Sequence, residues 1–350
     1  MKTVAAILTE TNRPLELASI EIPPLKPGQV LVEIAYSGVC RTQLLECGGH
    51  KGRDPYIPHC LGHEGSGVVL ETGAGVAKVK SGDRVILSWI KGSGADVPGT
   101  LYDWNGTKVN AGAITTFGRH AVISENRLTP LPVDADLRAA AMLGCAVPTG
   151  LGIVFNTLNP SAAQSVAVFG TGGIGLCAVK GAAIRGCLPI IAVDLLQAKL
   201  DVALKMGATH CVDASREDLV EAIRRICPQG VDYAVESSGR PQVMKQAISS
   251  LRNQGGAVAV AGNAHFGEEL TIDPAELNKG KRILGTWGGD NFPDRDFPRY
   301  YALLRAGKLD LDLLTTRTYP LEEINRALAD LESGATVRPI IAMRESPEGA

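Results

Sequence analysis

The sequence predicts an α/β chain in two parts, a β-rich portion and a doubly wound parallel sheet. Three observations predict it. Glycine accounts for 40 of 350 residues, where average usage gives about 25, so the backbone turns sharply or approaches something closely unusually often. Proline is uneven: eleven of the 20 fall in residues 1–160 and three in residues 161–273. Hydrophobic residues make up 45% of the chain and aromatics only 5%. The core is therefore built from β-branched and small side chains, which suit a pleated sheet.

Along residues 1–137, short apolar runs alternate with Gly/Pro punctuation. Val30–Tyr36, Gly67–Glu71, Arg84–Ser88 and His120–Ser124 read as strands, separated by turn signals at Pro27-Gly28, Gly73–Gly75 and Ser81-Gly82-Asp83. From residue 161 the rhythm changes. Val166–Phe169, Ile190–Val193, Cys211–Val212, Asp232–Val235 and Ala257–Ala261 read as buried strands. Helical stretches lie between them: one running to about Arg185, then Gln197–Met206, Glu217–Ile226 and Gln242–Leu251. Repeated βα units of this length imply a parallel sheet covered on both faces. Helices at Arg299–Arg305 and Leu321–Leu331 and a strand at Val337–Ala342 complete the chain.

Composition excludes several classes. Lys+Arg is 35 and Asp+Glu 37, for a net charge of −2 with 21% charged residues. That excludes a disordered chain, and with no basic run it argues against a nucleic-acid partner. The opening apolar run is five residues, short for a signal-peptide core. Residues 139–179 carry no charge, but Gly144, Pro148, Gly150, Gly152, Asn156, Asn159, Pro160 and Gln164 interrupt them. A buried loop, helix and strand is expected there, with no membrane segment. Eight cysteines scattered without an export signal suggest a cytoplasmic protein with free thiols, some of them on a metal.

Val166–Phe169 runs directly into Gly170-Thr171-Gly172-Gly173-Ile174-Gly175, a G-x-G-x-x-G string opening a helix. Gly170 suits the tight turn, Gly172 a close approach of backbone to a diphosphate, and Gly175 close packing of helix on strand. A second strand ends in Asp194, 19 residues past Gly175. Its carboxylate would accept from ribose hydroxyls and repel a 2′-phosphate, so NAD is expected rather than NADP. Cys40, His63 and Cys145 are candidate metal ligands. Two thiolates and one imidazole leave a fourth zinc position for water or substrate, the pattern of a catalytic site. Their spacing alone does not establish a site, and each taken singly reads more readily as an ordinary buried thiol or imidazole.

Taken together, these strings resemble the zinc-containing medium-chain alcohol dehydrogenases, a family within the medium-chain dehydrogenase/reductases. The likeness also runs through Pro27–Val32, Gly62–Gly67, Gly82–Val85, Ala203–Thr209, Gly230–Asp232 and Glu332–Gly334, nearly the whole chain. It implies a GroES-like catalytic domain at residues 1–147 and 289–350, and a Rossmann NAD-binding domain at 148–288, with one catalytic zinc in the cleft between. It implies that Cys40, His63 and Cys145 hold the zinc, with Glu64 able to approach it. Thr42 would take the alcohol's proton. Arg41 and Arg338 would bind the diphosphate, alongside Gly170, Gly172, Gly173, Ile174 and Gly175. Lys199 would lie near the ribose, and Trp89 would line the substrate pocket. The family further implies a small-molecule alcohol or carbonyl substrate and a homodimer, or a tetramer built from dimers.

The sequence departs from the family in three places. The lobe Trp89–Tyr102 lacks the four cysteines of a structural zinc site. Gln43 stands where an acidic residue is common, and an amide does not raise a ligand histidine's basicity as a carboxylate does. Leu45 replaces the histidine that ends the proton relay in some members, leaving His50, His59 or water to release the proton. His120, His210 and His265 sit in no motif and are read as structural. The lobe Ile90–Thr116 is rich in Gly, Asn and Thr, with Lys91, Asp96 and Asp103, which leans toward a polyol, sugar-derived or amino alcohol. Two alternatives compete: a zinc-free, NADPH-dependent quinone or enone reductase, and a non-enzymatic nucleotide-binding protein on the same fold.

Overall fold

The computed structural model describes residues 1–343. The chain forms two compact units. One comprises Met1–Cys145, Phe292–Leu303 and the described chain from Thr315 onward; the other comprises Ala146–Asn291 with Leu304–Leu314.

The first unit is β-rich. Its organising strand is Gln29–Gly38, ten residues long with Val30, Val32 and Ile34 fully buried. This strand pairs antiparallel with Glu64–Thr72, with His120–Ser124, and at its far end with Ile340–Ala342. Arg84–Ser88, Leu128–Pro130 and Thr318–Pro320 complete that sheet. A small closed barrel stands beside it, made of Lys2–Leu8, Glu16–Glu21, Leu101–Trp104, Thr107–Asn110 and His59–Cys60. The core that these strands share is aliphatic, with Val69, Val85, Leu87 and Ile123 at or below 1% exposure. That accounts for the scarcity of aromatic residues in the sequence.

The second unit is a six-stranded parallel sheet. In spatial order its strands are His210–Asp213, Ile190–Asp194, Val166–Phe169, Tyr233–Glu236, Ala257–Val260 and Arg282–Gly285. Numbered along the chain this is 3-2-1-4-5-6, the dinucleotide-binding order whose switch point lies beside the first strand. Val166 to Phe169 pair in register with Ile190 to Val193 on one side and Tyr233 to Glu236 on the other. The helix Gly173–Ile184 follows the first strand. A Cβ at Gly175 would lie 1.9 Å from the Gly170 carbonyl oxygen, so only glycine admits this approach.

The charge-free stretch is more helical than expected. Leu137–Ala141, a single turn at Met142–Gly144, Ala146–Gly152 and a wide-pitched turn at Ile153–Leu158 precede the strand Val166–Phe169. No single helix among the described residues is long and apolar enough to cross a membrane. Gly150 and Gly181 let backbone and small side chains pack where this segment meets Gly173–Ile184. The late helix begins at Pro293, not Arg299, because Pro298 is accommodated inside it while the Asp296 carboxylate accepts the Phe292 N–H at 2.9 Å.

The lobe at residues 89–100 is held by carboxylates. Glu125, 3% exposed, accepts the backbone N–H groups of Ala77 and Lys78 on one oxygen, each at 2.6 Å, and that of Ala95 on the other at 2.7 Å. Asp294 accepts the Ser93 N–H at 2.6 Å and pairs with Lys78. Burial alone would raise the Glu125 carboxyl. The backbone donors of Ala95, Lys78 and Ala77 overcome this and hold it below the usual range. Glu125→Gln removes one acceptor oxygen and should lower stability by about 1.5–3 kcal/mol at pH 7 in urea unfolding. A depressed carboxylate contributes above its unfolded value, near 4.3, and loses that contribution as pH falls through the folded one. The gap between wild type and variant should therefore begin to narrow below about pH 4.3 and close only as pH falls past the depressed folded value.

Candidate functional site

Strand register builds the metal-binding corner of the first unit. In the antiparallel pair, Ser37 faces Gly65, so the end of Gln29–Gly38 meets the start of Glu64–Thr72. Cys40 lies two residues beyond the first strand and His63 one residue before the second, which brings them to the same edge. Ile340 pairs with Gly38, and Val39 N–H donates to the Pro339 carbonyl at 3.0 Å, delivering Arg338 to that edge from the far end of the chain. Gly144 carries Cys145 in. A Cβ at Gly144 would stand 2.3 Å from the Leu87 carbonyl oxygen, and one at Gly38 would stand 2.0 Å from Glu64 Oε1. Both glycines therefore make room around the Glu64 side chain.

The two Sγ atoms of Cys40 and Cys145 and a ring nitrogen of His63 lie within 4.8 Å of one another. Cys40 caps the helix Arg41–Cys47, and its N–H donates to Gln43 Oε1 at 2.9 Å. Gln43 Nε2 in turn sits 2.5 Å from His63 Nδ1. The Thr42 hydroxyl is 3.7 Å from Cys40 Sγ. Trp89 N–H donates to the His63 carbonyl at 3.1 Å, so the expected pocket aromatic is tied to the ligand's own backbone. Glu64 is fully buried, and Arg338, 4% exposed, bonds it through Nη2.

The electrostatics of the cluster are those of a cation site. Cys40 is driven well below the usual thiol range. The Cys145 thiol donates to it, burial works against it, and Arg338 and His63 add to the stabilisation of the thiolate. As that donor, and buried, Cys145 is pushed up. Burial disfavours the charged form of His63, but Cys40 raises it by hydrogen bond and charge. Burial raises Glu64 against the pull of Arg338. Burial likewise disfavours the charge on Arg338, and Glu64, Cys40 and Cys145 more than compensate. The raised proton affinity of Cys145 and His63 marks positions where a metal would compete with a proton. Two sulfurs and one imidazole match zinc in number and kind.

In the second unit, Gly172, Gly173 and Ile174 are partly exposed at the start of the helix Gly173–Ile184, where free N–H groups suit an anion. Asp194 ends its strand. One oxygen accepts from the Thr171 N–H and hydroxyl at 2.7 and 3.0 Å, and the other from the Leu195 and Leu196 N–H groups at 2.8 and 3.1 Å. Thr171 therefore orients Asp194, a role hidden in the sequence because Thr171 is a variable position of the glycine string. Glu236 was also missed. Fully buried, it accepts the Ser238 and Gly239 N–H groups at 2.7 and 3.1 Å and fixes the turn that follows its own strand. Lys199 is partly exposed in the first turn of Gln197–Met206.

The structure thus brings Cys40, Thr42, His63, Glu64, Cys145 and Arg338 together in one unit, and Gly170–Gly175 with Asp194 in the other. Arg41 is exposed, whereas the charge of Arg338 is already answered by Glu64. His59 Nε2 lies 2.8 Å from Asp54 Oδ2 and is engaged there. Lys91 pairs with Asp96 at 2.5 Å and Lys108 with Asp103 at 3.0 Å on the surface. Those charges satisfy one another and lend no support to a polar substrate.

Comparison with known proteins agrees with this fold. An alcohol dehydrogenase GroES-like domain matches residues 26–133, and a zinc-binding dehydrogenase domain matches residues 173–306. The chain is 32% identical to an S-(hydroxymethyl)glutathione dehydrogenase of Synechocystis, covering 97% of this chain and 100% of that protein. Among solved structures, benzyl alcohol dehydrogenase from Acinetobacter calcoaceticus superposes with a TM-score of 0.89 at 30% identity, covering 98% of this chain and all of that one. A zinc-binding-domain alcohol dehydrogenase protein from Burkholderia ambifaria gives a TM-score of 0.88 at 32% identity, covering 99% of this chain. With a GroES-like unit, a six-stranded nucleotide-binding sheet and end-to-end relatives of this kind, the chain belongs to the zinc-containing medium-chain alcohol dehydrogenase family.

Proposed function

We propose that this protein oxidises an alcohol, or reduces the corresponding carbonyl, with NAD and one zinc ion per chain. The observation that carries the reading is the convergence of Cys40, His63 and Cys145 within 4.8 Å. Bound there, zinc supplies Lewis acidity that lowers the pKa of the alcohol oxygen, and NAD supplies the hydride acceptor. The remaining work falls to side chains. Cys40 and Cys145 hold the charge that retains the metal. We assign the Thr42 hydroxyl, 3.7 Å from Cys40 Sγ, to take the alcohol proton. Leu45 is buried and carries no proton further, so water or one of His50 and His59 completes the exit. Glu64 and Arg338 form the buried charge pair behind the ligands.

For the cofactor, we assign Gly170–Gly175 and the helix start to the diphosphate, with the exposed Arg41 as its guanidinium partner; Arg338, expected from the sequence to share that role, is buried against Glu64 and is not assigned to it. Asp194, oriented by Thr171, and Lys199 are assigned to the ribose. A carboxylate at this place favours NAD over NADP by charge repulsion of the 2′-phosphate. We also propose a homodimer. Among the described residues Arg282–Gly285 is an edge strand of its sheet, and the same unit exposes Trp287 at 73%, Phe266 at 80% and Leu277 at 46%. Such edges are normally covered. All eight cysteines are free, which suits a reducing cytoplasm.

Two experiments test this. The first measures bound metal and turnover on an alcohol panel that includes benzyl alcohol, S-(hydroxymethyl)glutathione, a vicinal diol and polyols. The expected result is about one zinc per chain, turnover lost on chelation, and Cys145→Ser retaining under a tenth of the metal. A metal-free preparation fully active on an enone with NADPH would overturn the reading, as would nucleotide binding without turnover of any alcohol. The second tests cofactor choice. Asp194→Ala should lower kcat/KM with NAD by about 10- to 100-fold, the worth of a charged hydrogen bond, and narrow the preference over NADP. Its zinc content should stay unchanged. Undiminished NAD preference in Asp194→Ala would remove that residue from the cofactor site.

A further inference from the structure

Gln43 presents a mismatch that a zinc-bearing site cannot avoid. The Cys40 backbone N–H is a fixed donor, so the Gln43 atom facing it is the carbonyl oxygen, at 2.9 Å. That commits the amide NH2 group to His63 Nδ1, 2.5 Å away. An NH2 group only donates, so this pairing suits an Nδ1 that carries a lone pair. Gln43 engages Nδ1, which leaves Nε2 as the nitrogen for the metal. A neutral imidazole that gives Nε2 to a metal carries its hydrogen on Nδ1. Two donors then face one side chain with a single acceptor oxygen. Gln43 is 1% exposed, so no solvent stands ready to relieve the conflict.

We propose that Gln43 is a positioning residue that loosens this protein's hold on its zinc. Its oxygen is turned to Cys40 N–H and its NH2 group to His63 Nδ1, so an Nδ1 that carries its hydrogen meets a donor where a two-oxygen side chain would present an acceptor, and the imidazole is held less firmly. Turning the amide to serve His63 would strip Cys40 N–H of its partner at the head of the helix Arg41–Cys47, moving the cost from one ligand to the other. Both donors belong to metal ligands, so either choice weakens the same site. The inference rests on the zinc reading above.

The test is an isosteric exchange. Gln43→Glu keeps the side-chain length and the reciprocal helix cap and adds the second acceptor oxygen. Zinc is first counted in the wild-type protein; no bound zinc there would defeat the functional reading and this inference with it, whereas zinc bound there upholds the reading and leaves the comparison below to decide the inference alone. Chelator competition on the full-length protein then gives relative zinc affinities. Gln43→Glu should bind zinc about 10- to 100-fold more tightly, the range for an outer partner of a metal ligand. Gln43→Asp, which also offers two oxygens, should move the same way and serves if the glutamate variant folds poorly. Added charge is separated from hydrogen bonding by 15N-histidine NMR of the zinc-loaded proteins. The His63 Nδ1–H should exchange with solvent more slowly in the carboxylate variant than in wild type, because an acceptor then faces it. Equal zinc affinity, or equal exchange of that proton, would overturn the proposal.

Discussion

The constraint on which the first unit depends is the convergence of two sulfurs and an imidazole at one buried corner. Three segments that are remote in sequence must meet there, and like charge must be answered locally because water is excluded. Arg338 answers it. The guanidinium faces Glu64 and lies close enough to Cys40 and Cys145 to stabilise charge on both. Several features of the fold follow from bringing that one arginine home. The last strand, Ile340–Ala342, pairs at the end of Gln29–Gly38, and the Pro339 carbonyl accepts from Val39. Gly38 and Gly144 leave the space that the Glu64 carboxylate occupies. The C-terminal segment thus completes the site built by the first 145 residues.

The second unit solves a different problem with fewer charges. Its phosphate loop depends on backbone proximity, with Gly175 against Gly170, and on one carboxylate. Asp194 accepts four hydrogen bonds from Thr171, Leu195 and Leu196, so its place and charge are fixed by the loop itself. Glu236 braces the neighbouring strand end in the same way. Carboxylates that accept backbone N–H groups recur as the joinery of this protein, from Glu125 under the residue 89–100 lobe to Asp296 at the head of a helix.

Much of this was legible in the sequence because the signals are local. The parallel strands are short buried runs bounded by glycine, and Gly170–Gly175 needs only its neighbours to be recognised. The three ligands were legible through family likeness, since their spacing carries little information. The illegible parts are long-range or short. Glu64 and Arg338 are 274 residues apart in the chain, and no pattern in the sequence announces their contact. The helix Arg41–Cys47 has seven residues, too few for a periodic signal to rise above its surroundings. The hairpin Leu101–Trp104 with Thr107–Asn110 lies in the lobe whose polar composition suggests no strand. Its turn, Asn105-Gly106 with φ of 51° and 88°, is in fact the residue pair that such hairpins favour. Polar composition masked a usable signal there.

The central claim is that the buried corner holds a metal through two sulfurs and one imidazole, with room for one further ligand. X-ray absorption at the zinc edge of the purified protein tests it most directly. The account predicts two sulfur scatterers at about 2.3 Å and two nitrogen or oxygen scatterers at about 2.0–2.1 Å. A shell of four sulfurs, or one with no sulfur at all, would contradict it.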